Sequence, residues 1–526
     1  MPPPPRPAAI VHIGAFDLAS YGDQIFPLVA AHELHRRLGE VELLPFAPLG
    51  SPGDADGATS WSLGPWSPAR CAEVARKATL VLCGGGEILH GDGTTYAPFY
   101  RIDRRDAAEL RMDRWYIEVL GAAEDACPVV WHSPGVPLDI EGEDAARVRT
   151  AAARHALLTV RDDGSRARLE AAGVDRTVDV VPDSAFLLPR ILTPEALALR
   201  RERLRAAGQY PDDGPVVVVQ GNGTMRGLVT ELGEALRELV PQARVTTVPV
   251  SPCHHDGLFA RDLSEGLGGR YWAVPDDAPL ETIAAAIAGA DCFLGVSLHG
   301  AITARAYGRP HVTLDPFGQA KLSGLADLLD SHGSRAVDPV AAVKLVATRL
   351  SQGVAATPGS DGVAGRIDAH FDRIAEIATR RLEAAPTEPL LWADTATTLH
   401  LALRRPPRRV DPSVETAPRG LRRPDVVPTV EDLGLTISTA MATRRARAPE
   451  AAADQEELIR LRSEAHDLRG AVAHLEGVQA EVADERAEFA KLEQERARLA
   501  NAVESARSST LFRLTRRPSA LRNVNS

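Results

Sequence analysis

The segment GVSLHGAITARAYGRPHVTLD, residues 295–315, sets His299 between an apolar run and an Ala-rich helical stretch. A side chain at such a strand end and helix start stands where free helix amides can meet an anion. Imidazole also has an ordinary pKa near neutrality, which suits proton transfer. A single histidine is more often packing than chemistry. Function is therefore assigned to His299 only where distant segments supply partners for it.

Several do. LVLCGGGEILHGDG places Gly84, Gly85 and Gly86 directly after a buried strand, with Glu87 next. Consecutive glycines permit positive φ and a close approach of the backbone to a ligand, so this reads as a ligand loop. In HIGAFDLASYGDQIF, Gly22 and Asp23 lie at a helix start whose amides suit an anion or a sugar hydroxyl. Asp23 reads equally well as an N-cap. The stretch RPHVTLDPFGQAKL adds another strand end, followed by Lys321, one of only four lysines in the chain.

Two other motifs are set aside. VVVQGNGTMRG has Arg226 where a third glycine of a dinucleotide fingerprint would stand. PCHHDG contains Cys253, His254, His255 and Asp256, but adjacent side chains rarely converge on one ion, so no metal is expected.

Elements that would position these residues are legible as an alternation. AAIVHIGAF, ATLVLCGGG, CPVVWHSPG and ALLTVRDD read as buried strands, with helical stretches such as DQIFPLVAAHELHRRL between them. A second series, GPVVVVQGNG, ARVTTVPV, DCFLGVS and RPHVTLD, follows the Arg-rich helix TPEALALRRERLRAAG. Continuous apolar strands alternating with helices imply parallel sheets covered on both faces. The expectation is an α/β protein with two Rossmann-like domains, 8–190 and 191–385, facing a cleft. The second domain would end in the helix GRIDAHFDRIAEIATRRLEAA, with Ile367, Phe371, Ile374 and Leu382 on its buried face.

Three appendages follow. Residues 386–450 are rich in Pro and Arg and read as a linker. Residues 455–505 carry an apolar seam through Leu458, Leu461, Ala465, Leu468, Val472 and Leu475, as a coiled coil requires. The seam shortens to Val478 beside Gly477, a stammer that interrupts it. Such a coil would join a second copy or a partner helix. The tail 506–526 is basic, with Arg507, Arg513, Arg516, Arg517 and Arg522; it reads first as a frayed end, with contact to an anionic membrane surface as the alternative.

Bulk properties narrow the function. The 526 residues carry a formal charge of -11, with 44% hydrophobic and 25% charged residues, which is globular and argues against a nucleic-acid binder. No apolar run is long enough to span a bilayer, and no secretory h-region precedes the first strand. The five cysteines are scattered and form no C-x-x-C pair, so a reducing cytoplasm is expected, at the inner face of the membrane if the tail engages it.

In order, SYGDQ, CGGGEIL, VRDDGSRARLEAAGV, VVPDSAF, SLHGAITARAYGRPHVTLD and the trailing Lys321 resemble the polysaccharide pyruvyl transferase family, over about residues 8–325. The resemblance implies a glycosyltransferase-B type fold, phosphoenolpyruvate as donor and a cell-surface glycan sugar as acceptor. Gly22 and Asp23 match the family's N-terminal G-D, and Gly84 to Gly86 its G-G-G loop. Arg161, Asp162 and Ser165 match R-D-x-x-S, Asp183 the Asp after the following strand, and His299 the histidine of the C-terminal S-L-H signature. The resemblance implies that His299 protonates the donor or binds its phosphate, that Asp23 or Asp183 activates a sugar hydroxyl, and that Lys321 neutralises the donor. Glu87 and Ser297, inside the matched motifs, would line the substrate, and neither cofactor nor metal is required.

This sequence departs from the pattern at Ser20, where the family often has Asn, and in having no arginine before Leu298. Donor recognition then falls to Arg161, Arg226, Arg305, Arg309 or Lys321. Two rival readings share the fold expectation: a glycosyltransferase using a nucleotide sugar, and a non-catalytic glycan-binding scaffold assembled by its coil.

Overall fold

The computed structural model describes residues 8–50, 60–91, 97–100, 102, 104–119, 127–239, 243–267, 271–352 and 360–384. The linker, coiled coil and basic tail expected beyond residue 385 lie outside the described residues.

Two parallel sheets dominate. The first contains β1 (Ala8–Ile13), β2 (Val41–Ala47), β3 (Trp61–Ser62), β4 (Leu80–Gly84) and β5 (Val129–His132), in the order β3-β2-β1-β4-β5. A small parallel pair, β6 (Thr159–Val160) and β7 (Asp179–Val180), continues from β5 through a bridge between Val130 and Leu157. The second sheet holds β8 (Val216–Gln220), β9 (Arg244–Thr247), β10 (Tyr271–Ala273), β11 (Cys292–Gly295), β12 (His311–Leu314) and β13 (Arg335–Ala336). Its order is β10-β9-β8-β11-β12-β13.

In both sheets the strand order reverses once, between β1 and β4 and between β8 and β11. At such a point the connections leave to opposite faces, so a crevice opens beyond the strand ends. The strands forming these crevices are buried throughout: Leu80–Gly84, Val216–Gln220 and Cys292–Gly295 have no exposed residue. Apolar, β-branched strands such as VVVVQ are stable only with both faces covered. Among the described residues no helix is long and apolar enough to cross a membrane.

One hydrophobic cluster joins the sheets. It contains Ile10, Leu82 and Val130 from the first, Val216, Val218 and Phe293 from the second, and Ile25, Leu187 and Ile302 between them. The final helix, Ser360–Ala384, corrects the sequence reading twice. Although it follows the second sheet in the chain, it packs on the first helix, Tyr21–Leu38, and against β4. Its buried face is Ile367, Phe371, Ile374 and Ala378, whereas Leu382 is exposed. The helical stripe drifts out of the core by its last turn. Arg37 and Arg190 hold the helix through Asp368, at 3.0 and 2.8 Å.

Candidate active site

The glycine loop after β4 is shaped by side chains from the first helix. Gly85 and Gly86 have φ of +89° and +76°, conformations that favour glycine. A Cβ on Gly86 would lie 2.7 Å from Asp23 Oδ1, and one on Gly85 would enter the Phe26 ring. These glycines therefore admit Asp23 and Phe26 to the end of β4. Ser20, not Asp23, occupies the N-cap position of the helix, so Asp23 is free of the capping role and sits in its first turn.

His299 arrives from the other sheet. It opens the helix Leu298–Ala306 immediately after β11, and its ring rests on Gly22, where any Cβ would collide with Nδ1. Phe26 meets the ring edge-on at 5.4 Å. Nearby, Tyr21 and Thr303 share a buried hydrogen bond of 2.8 Å, tying the start of the first helix to the body of the helix that carries His299. His299 Nε2 lies 3.3 Å from Asp183 Oδ2. Neither atom has another hydrogen-bond partner among the described residues, so each faces the other, as an ion pair when the ring is protonated. Catalytic contacts often tighten only with substrate bound.

Asp183 is itself rigid. Its Oδ1 accepts the Ala185 amide at 2.9 Å, and the next residue, Ser184, meets His132 Nε2 at 3.3 Å. His132 in turn shares a 3.0 Å hydrogen bond with His370 of the final helix. The two carboxylates near His299 differ in character. Burial drives the Asp23 carboxyl upward, opposed by His299 and reinforced by Asp183 and Glu87, and the net direction is up. Burial also pushes Asp183 up, but His299, the Ala185 amide and Arg161 outweigh it, and the net direction is down. Two carboxyls driven apart in this way suit different roles in one proton-transfer site.

Beside them is a cation pair around Glu87. Arg161 Nη2 donates to Glu87 Oε1 at 2.7 Å, and Lys321 Nζ stands 3.5 Å from Oε2. Burial raises the Glu87 carboxyl, yet Lys321 and Arg161 more than reverse this and hold it down at about 2. Arg161 Nε also lies 3.3 Å from Asp162 Oδ2, so the two cations are shared between two carboxylates. Gly135 makes room for the Arg161 guanidinium, which a Cβ there would approach within 2.7 Å. The rest of R-D-x-x-S is structural: Asp162 caps its helix through the Ser165 amide, and Ser165 Oγ accepts the Val136 amide.

Not every candidate joins this group. Arg305 lies two turns beyond His299, buried beside His311 at the start of β12, the opposite end from the site. Helix rise carries it away from the strand ends. Arg309 is spent on the Ala288 carbonyl, and Arg226 pairs with Asp262. Ser297 is close to His299, but its hydroxyl caps the helix by accepting the Gly300 amide. Arg161 and Lys321 are thus the cations that the fold brings to the site.

Sequence reading missed a support behind His299. Gln220, at the end of β8, accepts the Val296 and Ser297 amides at 3.2 and 2.9 Å and donates to Asp256 at 3.0 Å. Asp256 also accepts the Ser251 amide at 2.8 Å. Burial drives its carboxyl up to about 8. Only the strand-end position of Gln220 hinted at this role. Cys253, His254, His255 and Asp256 do not converge: Asp256 turns inward to Gln220, while the His254 ring faces Phe99.

Fold and geometry together give an α/β protein in which a histidine–aspartate pair meets an adjoining cation pair, with side chains drawn from both halves. The chain belongs to the polysaccharide pyruvyl transferase family, whose pattern matches residues 21–316, more than half its length. No curated protein matches it. Among solved structures it is similar to a glycosyltransferase from Rickettsia africae (13% identity, TM-score 0.41), covering 76% of this chain and 100% of that one. It is also similar to the UDP-GlcNAc 2-epimerases of Neisseria meningitidis (12%, TM-score 0.40, 75% and 98% covered) and Methanocaldococcus jannaschii (12%, TM-score 0.43, 70% and 99% covered). At those values the likeness bears on neither donor nor reaction.

Proposed function

We propose that this chain transfers the enolpyruvyl group of phosphoenolpyruvate to two hydroxyls of a glycan sugar, forming a ketal, in a cleft of glycosyltransferase-B type. The observation that carries the reading is the meeting of His299 with Asp183 and Asp23 beside Arg161 and Lys321, groups separated by hundreds of residues in the chain. The donor's carboxylate and phosphate need fixed cations, and the ion pairs of Arg161 and Lys321 at Glu87 support these two side chains in that role.

The chemistry then divides among the remaining groups. His299, with Asp183 stabilising its protonated ring, gives a proton to the donor's methylene carbon and leaves an oxocarbenium-like centre. One sugar hydroxyl attacks that carbon and loses its proton to Asp23, whose carboxylate is made more basic by burial. A second hydroxyl attacks and returns its proton to His299, the carbon–oxygen bond to phosphate breaks, and phosphate leaves with the proton that Asp23 had taken. No electrons are exchanged.

A ligand screen by thermal denaturation tests the assignment. Phosphoenolpyruvate is expected to raise the midpoint, with phosphate release in the presence of acceptor glycan abolished by His299→Ala. Stabilisation by uridine diphosphate alone would favour a nucleotide-sugar transferase instead.

A further inference from the structure

The loop Ser251–His255 belongs to the second sheet's half but lies against the first. Tyr21 donates its amide to the Val250 carbonyl at 2.8 Å, and the Cys253 amide reaches the Ala19 carbonyl at 3.4 Å. Asp256 fixes the start of the loop through the Ser251 amide. His255 has φ of +64°, an uncommon conformation for a residue with a side chain. A loop with this many anchors and a strained residue is held in one shape, and such strain concentrates at working sites.

That shape presents His254. Its ring lies 4.5 Å from the Phe99 ring at 51°, and both residues are partly exposed. Among the described residues, neither His254 ring nitrogen has a hydrogen-bond partner. Burial, with Lys321 adding to it, pushes the imidazole down to about 4, so the ring is neutral at pH 7. Lys321 and Glu87 are close enough to act on it electrostatically, as Asp23 is on Cys253.

We infer that Phe99 and His254 form the acceptor side of the site, a subsite for one uncharged pyranose ring. The sugar's C–H face rests on Phe99, and one of its hydroxyls bonds the His254 imidazole. An aromatic face supplies area with little entropy cost, and a neutral imidazole both donates and accepts, which matches a hydroxyl better than an anion. The charged donor is served by Arg161 and Lys321, so the two substrates meet different chemistry. This subsite rests on the pyruvyl transfer proposed above for its orientation toward the donor.

Saturation-transfer NMR with methyl β-glycosides of glucose, galactose, mannose and N-acetylglucosamine tests binding without requiring turnover. At least one glycoside should give signal with the native chain. Phe99→Ala and His254→Ala should each weaken it by up to about tenfold, the scale of one lost ring contact. His254→Asn, which keeps a donor and an acceptor, should restore part of it. Phe99→Ala should still show the midpoint shift given by phosphoenolpyruvate, which establishes that the variant is folded. No signal from any glycoside, or signal unchanged in both alanine variants, would overturn the subsite. Were phosphoenolpyruvate inert while glycoside signal still depended on Phe99 and His254, the subsite would stand and the donor assignment would fall.

Discussion

The imidazole of His299 occupies the space that a side chain on Gly22 would need, so the first turn of one half's helix is the seat of the other half's key residue. Gly22→Ala should therefore act against its helix propensity. Alanine is favoured over glycine in a helix by up to about 1 kcal/mol. Here the added methyl would push the ring off its position. We expect activity to fall by about 100-fold, the scale of a misplacement near 1 Å, while circular dichroism reports an intact helix content. Full activity in Gly22→Ala would show that the ring is not held there during catalysis.

Asp23 and Asp183 should give distinct pH signatures. Asp23 is raised by burial, and a base works only when deprotonated, so activity should fall as pH drops through its elevated pKa. Asp23→Asn should remove that acid limb and cost about 10²–10⁴-fold in turnover. Asp183 is lowered, so it stays ionised through the same range. Asp183→Asn should reduce rate without removing the limb, and a pH–rate profile of both variants separates the roles.

Glu87 is expected to matter for stability as well as for the donor. Arg161 is 6% exposed and loses its main partner in Glu87→Ala. A buried cation left without its partner costs about 3–5 kcal/mol. Guanidinium unfolding should show a loss of this order, and Glu87→Gln, which keeps an acceptor for Arg161, should lose less. A midpoint unchanged in Glu87→Ala would mean that Asp162 alone satisfies the guanidinium.

Acid should draw stability out of the fold through its buried histidines. His132, His155 and His311 are each pushed down to about 4, with burial as the largest cause. Their unfolded pKa is near 6.5, so between pH 6.5 and 4 the unfolded chain binds protons that the folded one refuses. The histidine contribution is complete above pH 6.5 and declines as pH falls toward 4, by about 1.4 kcal/mol per pH unit for each histidine, with the raised Asp256 carboxyl offsetting one of the three. Urea midpoints at pH 7.5 and 5 check this, and equal midpoints would contradict it.

Much of the architecture was legible because its signals are local. Runs such as VVVV at 216–219 and LVLCG at 80–84 are apolar without alternation, which only a sheet covered on both faces explains. The ends of β4 and β11 were readable as site positions for the same reason. Arg305 and Leu382 show the limit. Leu382 sits at a helical spacing from core residues that pattern alone accepts, and Arg305 shares a helix with His299, yet helix geometry turns both away. Gln220 and Asp256 left no signal beyond position, because their role lies in hydrogen bonds to backbone amides.

By itself the sequence determined the strand–helix alternation, the glycine loop and the identity of the ionisable groups, since these depend on side-chain type and local propensity. Tertiary structure alone decided that His299 rests on Gly22, that Asp183 faces it at 3.3 Å, and that the final helix crosses to the first sheet. Those contacts join residues far apart in the chain. They depend on how two buried surfaces pack, which no local pattern specifies.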